Sequence, residues 1–526
     1  MNPSPTTTNA SRPSAPTSIQ FVDTSLRDGH QSLLATRMST EQCMRVLPLL
    51  KRSGYRCLEL WGGATLDAAM RFTGDDPFER LDRFREELSD APQGHVEIRS
   101  LCRGQNLFGY SPYADEVVYS FVREAVRSGN DRVRIFDALN DARNLLTATM
   151  SVKTFDGHAE CAMSYTTSPV HDVDHFLRFA QTAIDNGASS LAIKDMAGLL
   201  HPADCFEIVA ALRSRFPGCE ITLHSHGTNG LATASYVAGM LAGVNRIDTA
   251  HGPMANSTSQ PSVELMDLFC RLAGVEHNID LSLAGEIDTH LRKIREELNA
   301  VDKDPEHFGH PWPVCRGEDM PVDYQKKAER ALELIASRDR EKIDQAIALI
   351  EDEILVPQGF APVDRSQLDA QVPGGMISNL HNQMKEQGKL DLMPKILEEI
   401  PRVRAEAGYV PLVTPTSQIV GTQAAMNVMT GDRYSLITSE FRSMVLGKYG
   451  RLPAEPSEEV VLKCSPDGSR FDKAPRSYAS EPDIEKMQND AGNLIRTTRD
   501  QLLYMLFPAP WKKFMEARAQ KETATA

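Results

Sequence analysis

The sequence predicts an α/β fold in which an eight-stranded parallel (β/α)8 barrel is followed by a mostly α-helical domain. Between about Ile19 and Met254, eight short apolar or β-branched runs alternate with longer helix-like segments, a pattern typical of βα units and a parallel sheet. Eight units over roughly 240 residues fit a closed barrel of the TIM type better than an open, doubly wound sheet. From Leu281 onward, helical periodicity dominates.

Each predicted strand ends in polar residues. The strands are residues 19–23, 57–61, 96–101, 133–137, 160–165, 191–195, 221–226 and 245–250. In such barrels the reacting groups come from the C-terminal ends of the strands. We therefore expect a site where LRDGHQS follows strand one, RGQN follows strand three and HSHGTNG ends strand seven.

The chain divides into four predicted segments. Residues 1–18 are rich in Pro, Ser and Thr and indicate a disordered tail. Residues 19–300 form the predicted barrel, and residues 301–360 are a partly helical insertion. Residues 361–526 are the predicted helical C-terminal domain, with a polar connector at 456–482 and two further helices over 483–518.

Composition excludes several classes of protein. A chain of 526 residues is too long for one compact core. The net charge of -15 argues against binding to nucleic acid, and no apolar run approaches the roughly 20 residues of a membrane-spanning helix. The nine cysteines are scattered without a C-x-x-C pair, which suits a reducing compartment. We expect a cytoplasmic protein without membrane insertion.

His224 and His226 are the first candidate metal ligands. They lie two residues apart on a predicted strand, so alternation places both side chains on one face. Imidazole suits zinc, cobalt, manganese or iron. Asp28, after strand one, is a candidate third ligand, although an aspartate in such a turn is often only a helix cap.

Lys194 directly follows the apolar run Leu191-Ala192-Ile193, where an unpaired ammonium is costly. Two interpretations resolve this conflict. The lysine pairs with a carboxylate such as Glu59 or Asp137, or it reacts with CO2 to become an anionic carbamate that ligates a metal.

Other polar residues suit substrate binding. Arg103 follows strand three, where a guanidinium is suited to bidentate capture of a carboxylate, or to an ordinary salt bridge. Gln31 and Gln105 offer neutral hydrogen bonds. The hydroxyl-rich turn that contains Thr414 and Ser417 has the composition of a common helix cap, and nothing in the pattern singles out Thr414.

Ten segments, in order along nearly the whole chain, resemble the carboxyltransferase subunits and domains of biotin-dependent enzymes. That group includes transcarboxylase, the α subunit of oxaloacetate decarboxylase, and pyruvate carboxylase. The segments are RDGHQSLLATR, ELWGGATLD, LCRGQNLFGY, RIFDALND, SYTTSPVH, AIKDMAG, HSHGTNG, TSQPS, PGGMISN and PLVTPTSQIVGTQA.

The resemblance implies a role for each candidate. Asp28, His224 and His226 match the family's metal ligands, and Lys194 matches its carbamylated lysine ligand. Arg103 and Gln31 match the groups that hold pyruvate. Thr414 matches the threonine that passes a proton between biotin and substrate, and Ser417 matches a serine near the biotin ring.

The resemblance also implies cofactors and partners. We expect a divalent zinc, cobalt or manganese ion, and biotin supplied by a separate biotin carboxyl carrier protein, because the sequence contains no A-M-K-M biotinylation motif. Further expected partners are an acyl-CoA carboxyltransferase or a biotin carboxylase subunit, and a second copy in a homodimer. The implied reaction moves a carboxyl group between carboxybiotin and pyruvate or oxaloacetate.

Several alternatives stay open. Within the family, the chain resembles the transcarboxylase 5S subunit, the oxaloacetate decarboxylase α subunit or one subunit of a split pyruvate carboxylase. Outside it, isopropylmalate synthase and hydroxymethylglutaryl-CoA lyase also hold a metal with R-D-G and H-x-H, but they lack KDMAG and VTPTSQIVGT. A non-catalytic scaffold is the last alternative. Departures from the family pattern are Gly29, where alanine is usual, Ser225 between the histidines, and the insertion near 303–360.

Overall fold

The computed structural model describes residues 17–525 except 110, 308, 310–319, 364–379, 382–383, 387 and 480. Most of the predicted tail, residues 1–16, and the PGGM motif therefore lie outside the described residues.

Eight parallel strands close into a barrel, because the first strand, β1 (Ser18–Asp23), pairs with both β2 (Cys57–Gly62) and β8 (Arg246–Thr249). The predicted fold is confirmed, and every predicted strand is present within two residues at each end. A ninth strand, β9 (Glu276–His277), pairs with the first two residues of β1 and is too short to produce a sequence pattern. The strands are β1 Ser18–Asp23, β2 Cys57–Gly62, β3 Glu97–Cys102, β4 Arg132–Phe136, β5 His158–Ser164, β6 Ser190–Asp195, β7 Glu220–Ser225, β8 Arg246–Thr249 and β9 Glu276–His277.

Amphipathic helices surround the barrel. In Val173–Asp185, the buried residues Phe176, Phe179, Ala180 and Ala183 recur at helical spacing, and the Asp172 carboxylate caps the first turn. The helices of this part are His30–Leu33, Thr40–Met44, Leu47–Arg52, Thr65–Ala68, Pro77–Glu87, Asp115–Arg127, Leu146–Thr154, Val173–Asp185, Pro202–Arg215, Ala232–Ala242, Val263–Ala273 and Ala284–Glu297.

The segment predicted as an insertion contributes two described helices, Val322–Ala336 and Arg340–Ile350. They pack against barrel helices, and their buried Ala and Ile residues join the barrel's own hydrophobic core. An ion pair between Arg340 and Asp204 fixes the second helix to the helix that follows β6. The described part of this segment thus thickens the wall of the barrel on the side of β6 to β8.

The chain after residue 390 forms two groups of helices. Met393–Glu406, Thr416–Thr430, Ser439–Val445 and Glu458–Cys464 enclose a second hydrophobic core. The last three, Ile484–Ala491, Thr498–Leu506 and Pro508–Thr525, return to the barrel, where Trp511 is buried.

Two predictions for this region are wrong in detail. The predicted connector at 456–482 contains the helix Glu458–Cys464, which forms because Val460 and Val461 are buried in the second core. Residues 483–518 hold three helices, not two, since Pro508 begins a new helix directly after Thr498–Leu506.

No helix in the described ranges is both long enough and apolar enough to cross a membrane.

Charged side chains fill the middle of the barrel, where branched aliphatic residues are more usual. Glu59, Arg99, Arg134, Glu160 and Asp248 project from five strands and are fully buried. Arg99 lies 2.8 Å from Glu59 and 2.7 Å from Asp248, and Arg134 pairs with both Glu160 and Asp248. This network supports the polar site at the C-terminal ends of the strands.

Candidate active site

Three of the predicted metal ligands converge at the C-terminal ends of β1 and β7. The Nε2 atoms of His224 and His226 are 3.2 Å apart. Asp28 Oδ2 lies 3.1 Å from the first of them and 3.4 Å from the second. All three residues are buried, and their ligand atoms lie within 4.8 Å of one another. The structure thus brings together the groups that the sequence predicted.

The outer nitrogens of both histidines are held by other residues. Asp248 Oδ2 lies 2.8 Å from Nδ1 of His224, and the carbonyl oxygen of Thr258 lies 2.6 Å from Nδ1 of His226. With Nδ1 of each ring as the donor, both Nε2 lone pairs face Asp28. This is the arrangement in which histidines bind metal ions, so the donor set fits a divalent cation.

The charges at the cluster also favour a cation. Although burial raises the pKa of Asp28, the neighbouring Arg27 and the two histidines hold it well below its ordinary value, so the carboxylate is ionised. Burial, and then the charge of Lys194, lowers the pKa of His224. A neutral imidazole beside an ionised carboxylate is the protonation state that a metal requires.

Lys194, the last but one residue of β6, joins the same cluster. Its Nζ atom lies 3.3 Å from Nε2 of His224. Burial lowers the pKa of Lys194 to about 8. The predicted alternative of a carboxylate partner is absent from the described contacts: Glu59 is bound by arginines, and Asp137 accepts from Leu139, Asp141 and Asn144.

A cavity of about 320 Å³ opens beside Lys194. Its lining contains Gln31, Arg103 and Thr414, so residues from the barrel and from the helical half meet there. The Gln31 side-chain oxygen accepts from the backbone N–H of Ala64, which leaves its NH2 group for a ligand. Arg103 donates to the carbonyl oxygen of Phe108, and this bond holds the guanidinium at the wall.

Two residues that the sequence offered as candidates for binding substrate or biotin do not line the cavity. Ser417 is buried in the first turn of Thr416–Thr430, and Gln418 takes the place in the lining that Ser417 was expected to fill. Gln105 is turned away, since its side chain donates to Tyr113 and Asp115.

Gly29 does not make the turn unusual. It has helical dihedral angles, with φ at -55°. A methyl group there would lie at ordinary contact distances, 3.4 Å or more, from Met254 and Ser259. The turn therefore has the conformation and the space that alanine needs.

Sequence reasoning missed three residues of the site. Asp248 orients His224, Gln260 donates to Asp28 over 3.1 Å, and Phe507 lines the cavity from the far end of the chain. Asp248 lies in the largely polar predicted strand 245–250, where it does not differ from its neighbours in character. No local pattern distinguishes Gln260 or Phe507.

Two family models match the chain. One is described as a conserved carboxylase domain and matches residues 368–526. The other is described as HMGL-like and matches residues 117–289, within the barrel.

Relatives are similar over nearly the whole chain. A pyruvate carboxylase subunit of Methanocaldococcus jannaschii is 36% identical over 96% of this chain and 79% of its own length. The methylmalonyl-CoA carboxyltransferase 5S subunit of Propionibacterium freudenreichii subsp. shermanii is 35% identical over 96% of this chain and 89% of its own. The carboxyl transferase domain from Rhizobium etli pyruvate carboxylase, solved with pyruvate and biocytin, has a TM-score of 0.77 at 28% identity and covers 95% of this chain and 78% of its own.

These similarities agree with the barrel, the C-terminal helices and the buried cluster at the strand ends. The predicted resemblance is therefore confirmed, and so is the prediction of an enzyme. The chain belongs to the biotin-dependent carboxyltransferase family and is a subunit that transfers carboxyl groups.

Proposed function

We propose that this chain moves a carboxyl group between carboxybiotin, held on a separate carrier protein, and pyruvate, which becomes oxaloacetate. One observation carries the proposal. A single cavity brings Arg103, Gln31, Lys194 and Thr414 together from both halves of the chain. The named relatives support it, since they include a pyruvate carboxylase subunit and a domain solved with pyruvate and biocytin.

Arg103 and Gln31 bind the keto acid. The guanidinium of Arg103 pairs with the substrate carboxylate, and the amide NH2 group of Gln31 donates to a substrate oxygen. The cavity of about 320 Å³ suits a three- or four-carbon acid together with a biotin ring. Apolar lining residues such as Phe108 and Val413 exclude water.

Asp28, His224, His226 and a carbamylated Lys194 would hold a divalent zinc, cobalt or manganese ion. When bound, the ion supplies a Lewis acid that polarises the keto oxygen of the substrate and favours its enolate. A free ammonium at Lys194 repels such an ion, whereas the carbamate formed with CO2 is an anionic oxygen ligand. The low-dielectric surroundings of Lys194 favour the loss of its positive charge.

Thr414 transfers the proton. Carboxybiotin releases CO2, and its ring nitrogen takes up a proton from the methyl group of pyruvate through the Thr414 hydroxyl. The carbanion-like enolate carbon then forms a bond to CO2 and yields oxaloacetate. The reverse sequence decarboxylates oxaloacetate and carboxylates biotin. Ser417 stays a proposal for the biotin side as a positioning residue, since its backbone N–H donates to the carbonyl oxygen of Val413, next to Thr414.

The partners and the assembly follow from the same proposal. A biotin carboxyl carrier protein brings biotin to the cavity, and residues 361–526 complete the funnel that the barrel of residues 19–300 begins. An acyl-CoA carboxyltransferase partner makes the complex a transcarboxylase, as the similarity to the 5S subunit favours. A biotin carboxylase partner makes it a split pyruvate carboxylase, as the similarity to the Methanocaldococcus jannaschii protein favours. An oxaloacetate decarboxylase α subunit is the remaining assignment. We expect a cytoplasmic homodimer.

The test is decarboxylation of oxaloacetate by the purified chain in the presence of free biotin. We expect Thr414→Ala to lower the rate by about 100-fold, because a proton relay contributes 10²–10⁴-fold in enzymes. Thr414→Ser keeps a hydroxyl and should keep most of the rate. The matched control is Thr430→Ala, at the exposed C-terminal end of the helix Thr416–Thr430 that follows Thr414.

Metal content separates a chemical loss from a folding loss, and it should be the same in all three variants. Wild-type turnover in Thr414→Ala contradicts the role of the hydroxyl. A wild-type chain that turns over 2-oxoglutarate or oxalosuccinate, but neither pyruvate nor oxaloacetate, contradicts the substrate assignment.

A further inference from the structure

A second cluster of buried polar side chains lies outside the site described above. His251 follows β8 by two residues, Glu264 is in the first turn of Val263–Ala273, and Asp288 is in Ala284–Glu297. One ligand atom from each lies within 4.8 Å of the other two. The three residues, called here the His251 cluster, share no member with the cluster of Asp28, His224 and His226.

The His251 cluster is rich in carboxyl groups, although the positive charge of Arg292 also acts on Asp288. Asp23 lies close to the cluster and adds a third carboxyl group to those of Glu264 and Asp288, while His251 is the only imidazole. Burial, and then the charge of Glu264, raises the pKa of Asp288 to about 7. Burial raises the pKa of Asp23 to about 6. Carboxylate oxygens that converge with an imidazole nitrogen are ligands that a divalent cation binds.

One ligand atom in the cluster, Oδ1 of Asp288, lacks a hydrogen-bond partner among the described residues. Nδ1 of His251, a residue that is 0% exposed, pairs with the carboxylate of Glu264. A buried carboxylate oxygen without a partner needs an explanation such as a bound ion. Glu264 Oε1 lies 3.4 Å from Nδ1 of His251, which is close to the edge of about 3.4 Å between two ligands of a tetrahedral ion held at about 2.1 Å.

The surroundings orient these ligands. The Tyr55 hydroxyl lies 3.2 Å from Nε2 of His251 and can accept its proton, so a metal ion at Nδ1 would replace the proton that this nitrogen shares with Glu264. Ser262 donates to the second oxygen of Glu264 over 2.6 Å. Gly252 has no side chain, and a methyl group at that position would lie 3.2 Å from Asp288 Oδ2. The absence of a side chain lets this carboxylate approach the loop.

We propose that His251, Glu264 and Asp288 bind a second divalent transition-metal ion, zinc or manganese, with a structural role. One imidazole and two carboxylates are a donor set that these ions accept. The ion joins the loop after β8 to two helices. That loop supplies Gln260, which donates to Asp28, and Thr258, whose carbonyl binds His226. The second ion therefore fixes the loop that supports the first metal cluster.

The test counts metal ions in the full-length chain after metal removal with a chelator and reloading with zinc or manganese. We expect about two ions per wild-type chain and about one in Asp288→Asn, because loss of one anionic ligand weakens a three-residue site. Glu286→Gln is the matched control, since Glu286 is exposed on the same helix. It should keep about two ions. Asp28→Asn should lose the first ion, and oxaloacetate decarboxylation with it, and keep the second.

Melting temperature gives an independent readout. Reloading should raise it in Asp28→Asn, where only the second ion binds, and should have no such effect in the double variant Asp28→Asn, Asp288→Asn. Glu264→Gln replaces Asp288→Asn if the latter fails to fold. About one ion in the wild type, or equal metal content in the wild type and Asp288→Asn, overturns the proposal. The cluster then holds protons in place of an ion.

Discussion

Lys194 carries a positive charge beside three groups that suit a metal cation. Its Nζ atom is 3.3 Å from a ligand nitrogen of His224, and no carboxylate forms an ion pair with it in the described part of the chain. An ammonium and a divalent ion held by the same buried cluster would repel each other strongly. The two can share the site only if the lysine loses its charge or becomes an anion.

Lys194→Ala should therefore abolish biotin-stimulated decarboxylation of oxaloacetate, with a loss of at least about 100-fold, and should lower the metal content. The measurement is the initial rate together with the metal stoichiometry of the same preparation. A lysine that acted only as a repulsive neighbour would give the opposite result, which is tighter metal binding in Lys194→Ala. Near-normal turnover would likewise contradict the carbamate role.

Spacing in the sequence was sufficient to predict some of the residues in the metal cluster. His224 and His226 lie on one face because β-strand alternation is local, and the burial of Lys194 follows from the apolar run before it. Asp248 and Gln260 reach the cluster from elements distant in the sequence, by side-chain contacts that no local pattern encodes. The carbamate rests on family resemblance, because lysine has the same local pattern whether or not it is modified.

At the level of the strands, the charged interior of the barrel supports the metal cluster. Glu160 on β5 pairs with Arg134 and lies 3.8 Å from Arg99. Burial raises the pKa of Glu160, but Arg134, Arg99 and Arg132 together hold it at about 2. Removing one member of such a network leaves buried charge without a partner.

Glu160→Gln should lower the free energy of unfolding by about 3–5 kcal/mol near neutral pH, the usual cost of breaking a buried pair. Because the folded pKa lies below the unfolded value of about 4.3, the stabilisation by Glu160 is fully present above that value. It is lost as pH falls toward about 2. The difference between wild type and variant, measured by urea unfolding, should shrink across this interval.

Glu276→Gln provides the control, because Glu276 is an exposed acid on β9. It should change the unfolding free energy by less than about 0.5 kcal/mol at every pH. A difference between wild type and Glu160→Gln that does not change with pH would show that the ionised form of Glu160 is not what stabilises the barrel.

The strands were predictable because each is a short run of apolar residues between polar ones, and this property belongs to a few neighbouring residues. By contrast, β9 and the helix Glu458–Cys464 could not be predicted from the sequence. β9 exists only through its pairing with β1. Glu458–Cys464 depends on the burial of Val460 and Val461 against distant helices. Elements that tertiary contacts create leave little trace in local periodicity.

At the scale of the whole molecule, the cavity depends on the return of the C-terminal helices to the barrel. Phe507 lies between the helices Thr498–Leu506 and Pro508–Thr525 and packs against Phe108 of the loop after β3, with ring centroids 6.2 Å apart. Both rings line the cavity. The sequence predicted the barrel and the helices separately, but only the assembled fold shows that residues as far apart in the sequence as Gln31 and Phe507 line one cavity.

Phe507→Ala should therefore reduce the yield of carboxyl transfer more than the binding of substrate. Removal of the ring opens the cavity to water, and CO2 released from carboxybiotin escapes before the enolate captures it. We expect the oxaloacetate formed per carboxybiotin consumed to fall several-fold, with KM for pyruvate changed less, because Arg103 and Gln31 are untouched. The measurement is this ratio with the carboxylated carrier protein.

The matched control is Phe471→Ala. Phe471 is an aromatic residue of the same helical half that is 40% exposed and lies outside the cavity lining. It should leave the ratio unchanged, so a general loosening of the helical half is distinguished from an opened cavity. A Phe507→Ala enzyme that couples carboxybiotin to oxaloacetate as well as the wild type would show that the C-terminal helices do not seal the site, and that the barrel loops alone exclude water.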